Sequence, residues 1–233
     1  MRSIALAAGL SAYVGCTGTV RPGRSVAAGF SLMELMIAIT ILGILIVLGM
    51  PSLSTAVERA KVNSMADFYL DGLRLARNGA LQKSGASRFV LTPNANGQQD
   101  WNVDWCFPTS VNPCDNTGTA RWSTTTTAGS GDTNAANPSF SVFRSASSQP
   151  PTDKVSTTLT PGDALTIYYN AQGWVNTGVQ PFLRQLRFDA DASFNSDPAM
   201  PVVRPVAIAI NLSGMAERCD PLVAAADSRA CSP

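Results

Sequence analysis

The sequence predicts an α+β fold: a long N-terminal helix that starts as an apolar span, followed by a head of antiparallel strands. Three observations carry that expectation. From Phe30 to Met50 the chain reads FSLMELMIAITILGILIVLGM, 21 residues with one charge, Glu34. From Ser52 to Ser84 apolar residues return every three or four positions. Beyond Gly85 that period is lost, and short β-prone runs alternate with turn-rich sequence. A helix first and strands afterwards is the pattern of the α+β class.

The apolar run comes first in the argument. Its helical rise is enough to cross a hydrocarbon layer about 30 Å thick, so residues 30–51 are expected to form a transmembrane helix. A secretory signal peptide has a shorter apolar core with its small-residue cleavage site behind it. Here the small residues Ala27-Ala28-Gly29 stand in front. A plain anchor does not account for Glu34, because a carboxylate inside such a span is costly and implies a partner.

The second segment, residues 52–84, reads as an amphipathic helix. Met65, Tyr69, Leu73, Ala76 and Ala80 recur at helical spacing and form one apolar face. Glu58, Lys61, Asp67, Asp71, Arg74 and Arg77 are assigned to polar positions. This face is read as ordinary core packing under the head, residues 85–233. Six strands are expected there: Arg88–Leu91, Asp100–Cys106, Ser139–Arg144, Leu165–Tyr169, Phe182–Phe188 and Val206–Leu212. Between the second and third, Ser123–Pro138 is a low-complexity loop with no core-forming residues.

Composition narrows the function. The chain holds 17 Lys+Arg, 16 Asp+Glu and no His. All charges before Phe30 are basic (Arg2, Arg21 and Arg24), so losing residues 1–29 removes three basic and no acidic groups and leaves a net of −2. A near-neutral body gives no general electrostatic case for nucleic acid. Lack of His removes the commonest general base and a common metal ligand. No catalytic residue and no cofactor is assigned, and the chain is read as not an enzyme.

Of five Cys, Cys16 lies in the leader and four lie in the head, as Cys106/Cys114 and Cys219/Cys231. Four Cys outside a membrane suit disulfides in an oxidising compartment, with three possible connectivities. Short loops cost least to close, which favours Cys106–Cys114 and Cys219–Cys231. Neither pair has the spacing of a zinc site.

Gly29-Phe30-Ser31-Leu32-Met33-Glu34-Leu35 resembles the processing signal of type IV prepilins and type II secretion pseudopilins. The resemblance implies that a prepilin peptidase/N-methyltransferase cuts between Gly29 and Phe30 and methylates the new amine of Phe30. It also implies that Glu34 meets the terminal amine of a neighbouring subunit, which neutralises the carboxylate in an apolar filament core. Gly43 and Pro51 fall where that family often loosens or kinks its helix. The leader, residues 1–29, departs from the usual short basic form. It has an apolar stretch from Ile4 to Val14, and Tyr13-Val14-Gly15-Cys16 is similar to a lipoprotein cleavage box with Tyr13 replacing the expected Leu. Lipidation at Cys16 would contradict release at Gly29, so the favoured reading is a translation start near Val20. Arg21 and Arg24 are then the basic patch.

Further along, Ile167-Tyr168-Tyr169-Asn170-Ala171-Gln172-Gly173-Trp174, the Val206–Gly214 run, Cys219-Asp220-Pro221 and Ser228-Arg229-Ala230-Cys231 resemble the GspH/FimT group of minor pilins and pseudopilins. The resemblance implies a pilin-like, two-sheet antiparallel head and, closest, a FimT/FimU-type minor pilin. Some such members bind DNA through a G-R-x-R segment. Here that stretch is Gly214-Met215-Ala216-Glu217-Arg218-Cys219, with Met215 and Glu217 where the arginines would stand. DNA binding is therefore disfavoured.

Two lesser constellations remain. Asp189, Asp191, Asn195 and Asp197 are hard-oxygen donors at which calcium is conceivable, but the central Gly of a helix-loop-helix site is missing, and a solvated turn is favoured. Trp101, Trp105 and Phe107 alternate as one strand face, read as sheet packing in preference to a partner-contact edge.

The expected role is a minor pilin in type IV pilus assembly or initiation. The alternatives are a type II secretion pseudopilin and a DNA-uptake receptor. The expected partners are other pilin or pseudopilin subunits, the prepilin peptidase and an inner-membrane assembly platform. The expected location is the bacterial inner membrane, single-pass, with the head in the periplasm.

Overall fold

The computed structural model describes residues 30–117, 121–195, 197 and 200–231; within its helix the side chains of residues 47–52 lie outside that description, as do the leader, Cys16 and Gly29. The chain divides between Val47 and Leu48 into two compact units.

Helix α1 runs Leu32–Lys83. Among the described residues no helix is long and apolar enough to cross a membrane. That corrects the expected transmembrane helix, and with it the single-pass inner-membrane location, the periplasmic placement of the head and the membrane-borne partners.

In the second unit α1 turns one face inward. Val62, Met65, Ala66, Tyr69, Leu70, Leu73, Ala76 and Ala80 are all buried. Glu58 departs from its expected polar position: it is 6% exposed, its Oε1 accepts from Lys61 Nζ at 2.6 Å, and its Oε2 has no hydrogen-bond partner among the described residues. The helix stops in a left-handed cap. Ser84 has φ 51° and the Gly85 N–H donates to the Ala80 carbonyl at 3.2 Å, a Schellman-type closure that satisfies a terminal carbonyl.

Eight strands follow among the described residues: β1 Ala86–Pro93, β2 Gln99–Cys106, β3 Val142–Arg144, β4 Val155–Thr160, β5 Thr166–Tyr169, β6 Gln185–Ala190, β7 Val206–Ile210 and β8 Ala216–Cys219. They form two four-stranded sheets, β3-β2-β1-β5 and β4-β6-β7-β8, with every pairing antiparallel. The α+β class and the two antiparallel sheets are thus present. Helix α1 contacts both: Trp101 Nε1 on β2 donates to the Phe68 carbonyl at 3.1 Å, and Tyr69 stacks on Phe188 of β6 at 5.4 Å between centroids. One core joins them, including Phe89, Leu91 and Val103 from the first sheet and Leu186 and Ile208 from the second.

Three sequence expectations shift. The predicted strand Ser139–Arg144 starts only at Val142, because the Ser139 N–H donates instead to Asp132 Oδ2 at 2.6 Å. The predicted strand Phe182–Phe188 starts at Gln185, with Phe182 and Leu183 buried ahead of it. The low-complexity loop contributes to the core boundary: Ser123 is buried and exchanges two 2.8 Å hydrogen bonds with the Trp105 backbone.

Candidate functional site

In the first unit the apolar helical stretch is exposed. Phe30 is 83% exposed, and each large apolar side chain from Leu32 to Ile46 is at least 47% exposed. These residues face every direction round the helix, whereas a helix that is hydrophobic all round is normally a buried one. Covering each such side chain is worth roughly 1.5–3 kcal/mol, so the segment has a strong drive to associate.

At its start, Ser31 sets the geometry. The Ser31 Oγ accepts from the Glu34 N–H at 3.1 Å, and the Ser31 carbonyl accepts from the Leu35 N–H at 3.1 Å. Ser31 is therefore the N-cap, and S-x-x-E is the spacing of a capping box. Glu34 sits in the first turn, where the helix dipole favours negative charge. The sequence reading gave Ser31 no role, although that spacing was visible. A shallow groove of about 530 Å³ lies beside Glu34, lined by Ser31, Met33, Ile37, Ala38 and Ile41. Gly43 is helical, and a Cβ there would meet no atom within 4 Å. Pro51 is also within the helix.

The head holds the remaining candidates. The structure pairs Cys106 with Cys114 and Cys219 with Cys231, eight and twelve residues apart. The first bridge is buried against Ala86 and Trp122. Trp101 and Trp105 are 4% and 3% exposed and point into the core, their indole N–H groups donating to the Phe68 and Phe140 carbonyls. Phe107 is half-buried beyond the end of β2.

Asp189, Asp191 and Asn195 line one surface cavity of about 400 Å³, yet each is already engaged. Arg187 makes a bidentate contact with Asp189, at 2.7 Å for its Nη2. The Ser193 N–H and then the Lys154 ammonium hold the Asp191 carboxyl below its usual range. The Asn195 amide is spent on the Val203 backbone, donating at 2.8 Å and accepting at 3.0 Å. Among the described residues no three acidic, His or Cys side chains gather as metal ligands.

Gly214 occupies the β7–β8 turn with φ 79°, and Ala216–Cys219 is strand β8. Arg218 is tied back to α1: it donates to the Asn63 carbonyl at 3.0 Å and pairs with Asp67.

Comparison of the chain with curated proteins and with solved structures gives no match. Residues 24–50, however, match the prokaryotic N-terminal methylation motif. The matched segment contains Gly29, Phe30, Ser31, Glu34 and Gly43, so the exposed apolar stretch of α1 and its cap fall inside it. The chain carries the N-terminal methylation motif that is diagnostic of type IV pilin-like proteins.

Proposed function

We propose that this protein is a minor pilin that takes part in the assembly or initiation of a type IV pilus, with a structural rather than a catalytic role. The observation that carries the reading is the stretch of α1 from Leu32 to Ile46: apolar on all sides, with its large side chains exposed, and bearing one carboxylate, Glu34, within a methylation motif. In this reading residues 1–29 are removed by cleavage after Gly29, and Phe30 becomes the methylated N-terminus. The helix then enters a bundle of like helices, with Glu34 pairing against a neighbour's Phe30 amine.

The charge pair supplies specificity, while apolar contact supplies most of the drive. Leaving one member of a buried pair alone typically costs about 3–5 kcal/mol. The two antiparallel sheets and the Cys219–Cys231 bridge support placement in the GspH/FimT group. Engagement of Arg218 by Asn63 and Asp67 speaks against the DNA-uptake reading.

The test is recovery of tagged chain in sheared filaments, with mass analysis of its N-terminus. Wild type should co-purify and begin at a methylated Phe30; Glu34→Ala should be processed but absent from filaments. Recovery in short secretion-system pseudopili, with a secretion defect on deletion, would assign it to type II secretion instead. Absence from both, or an N-terminus other than Phe30, would overturn the proposal.

A further inference from the structure

The outer face of the first sheet carries a groove with a charge that no described acidic residue compensates. Arg88 on β1 is held on two sides. Its Nε donates to Asp104 Oδ2 at 2.7 Å from the directly opposite position of β2, and its guanidinium lies 4.8 Å from the Trp122 ring centroid. Trp122 is fixed in turn: its Nε1 donates to the Asp115 carbonyl at 3.0 Å, and its ring meets Tyr168 edge-on at 5.6 Å. An arginine gripped along one edge and one face keeps little rotamer freedom to lose on binding.

The opposite wall is equally set. Segment 121–130 is fastened to β2 and to itself through Ser123 N–H to the Trp105 carbonyl at 2.8 Å, Phe107 N–H to the Ser130 carbonyl at 3.0 Å and Ser130 N–H to the Arg121 carbonyl at 3.1 Å. Between this segment and Arg88 lies an open groove of about 700 Å³. Arg88, Arg121, Thr124, Thr127 and Ser130 are among its lining residues, and among the described residues no carboxylate is. Asp104 offsets the charge of Arg88. Arg121 is exposed, and among the described residues neither its guanidinium nor the Nη groups of Arg88 have a hydrogen-bond partner. In a chain of formal net charge +1, two arginines on one acid-free groove are a local concentration of donors, not a reflection of a basic surface.

We infer that this groove binds an oxyanion, a carboxylate or a phosphate group, with Arg121 supplying the charge and the Arg88 Nη groups a pre-set fork. Guanidinium suits both anions because its parallel N–H groups match two oxygens at once. The hydroxyls of Thr124, Thr127 and Ser130 line the remainder of the groove and suit a ligand with further polar groups. This inference is independent of the filament reading and survives its failure.

The experiment is calorimetric titration of the full chain with sodium phosphate, sodium acetate and sodium chloride at matched ionic strength. Saturable binding of phosphate or acetate, absent with chloride, is expected, and the tighter of the two identifies the anion class. Arg121→Gln should weaken it by about tenfold, the worth of one charge-assisted hydrogen bond. Arg88→Lys, which can keep the pair with Asp104 but loses the fork, should weaken it as well while leaving the thermal midpoint near wild type. Heats with phosphate and acetate no different from chloride, or affinities unchanged in Arg121→Gln, would overturn the inference.

Discussion

The Gly173 carbonyl and Gly214 meet so closely that a Cβ on Gly214 would lie 2.0 Å from the Gly173 oxygen. The contact joins two turns of the same construction from different sheets. Asn170 and Asn211 each accept the N–H of the glycine three residues on through their carbonyls, at 2.8 and 2.9 Å. Each also accepts the N–H four residues on through its side chain, from Trp174 at 3.0 Å and from Met215 at 2.9 Å. Both glycines have positive φ, 72° and 79°. Gly214→Ala is expected to destabilise the chain by at least about 2 kcal/mol, through left-handed strain together with overlap on backbone that cannot yield. Thermal denaturation checks it, with Gly162→Ala as the control: its nearest atom would be 4.0 Å away, and a change within about 0.5 kcal/mol is expected.

Gly79 poses two effects of opposite sign. Alanine gains about 1 kcal/mol of helix propensity, but its Cβ would lie 1.9 Å from the Trp105 ring. That ring is anchored by its indole hydrogen bond to Phe140, with the Lys83 ammonium 5.3 Å from its centroid. Overpacking at a fixed ring costs about 1–3 kcal/mol, so Gly79→Ala should lower the denaturation midpoint. Gly43→Ala, with open space around it, should instead raise helicity by circular dichroism.

Each disulfide closes a short loop, of eight and twelve residues in separation. Removing one should cost about 2–3 kcal/mol on the chain-entropy model. Replacing Cys106 and Cys114 by Ser should cost more than the same change at Cys219 and Cys231, because both sulfurs of the first pair are buried. Urea midpoints of the two double variants give the comparison.

Inside the Cys219–Cys231 loop, the Arg229 side chain and then its backbone N–H hold the Asp227 carboxyl down to about 2. A depressed carboxyl contributes stability that is full above its ordinary value and lost as pH falls towards the folded one, here between about 4 and about 2. A carboxyl NMR titration should therefore find its midpoint near 2. Arg229→Gln should move it back towards the ordinary range; no movement would show that the guanidinium is not the cause.

At the other end of the chain, Ser31 caps the helix through the Glu34 N–H. Ser31→Ala should weaken that first turn by about 1 kcal/mol, and Ser31→Thr should restore most of it. Amide exchange at Glu34 reads the effect directly: faster in the Ala variant, near wild type in the Thr variant.

Much of this molecule was legible from residue spacing, and the failures have definite causes. The face Met65–Ala80 was readable because a helix facing one core must repeat its apolar residues every three to four positions, and all five named residues are buried. The ends of β1, β2 and β5 fell within two residues of expectation, since β-branched and aromatic runs bounded by turns mark strands. Strand β4, VSTTLT, was missed because Thr and Ser also signal loops, and only pairing with β6 decides between them. Strand β8, AERC, was missed for a related reason: two of its four residues are charged and exposed. Glu58 was placed on the polar face by its chemistry, yet it is buried and shares its charge with Lys61.

By itself the sequence determined the helix-then-strands order, the inward face of α1, the methylation motif at residues 24–50 and the S-x-x-E start of the helix. These are local properties: periodicity, composition and caps act over one or two turns of chain. Only the tertiary structure decided which cysteines bond, how eight strands divide into two sheets, and that Arg88 and Arg121, 33 positions apart, line one groove. Those outcomes depend on contacts between residues distant in the chain, which no pattern of neighbours encodes.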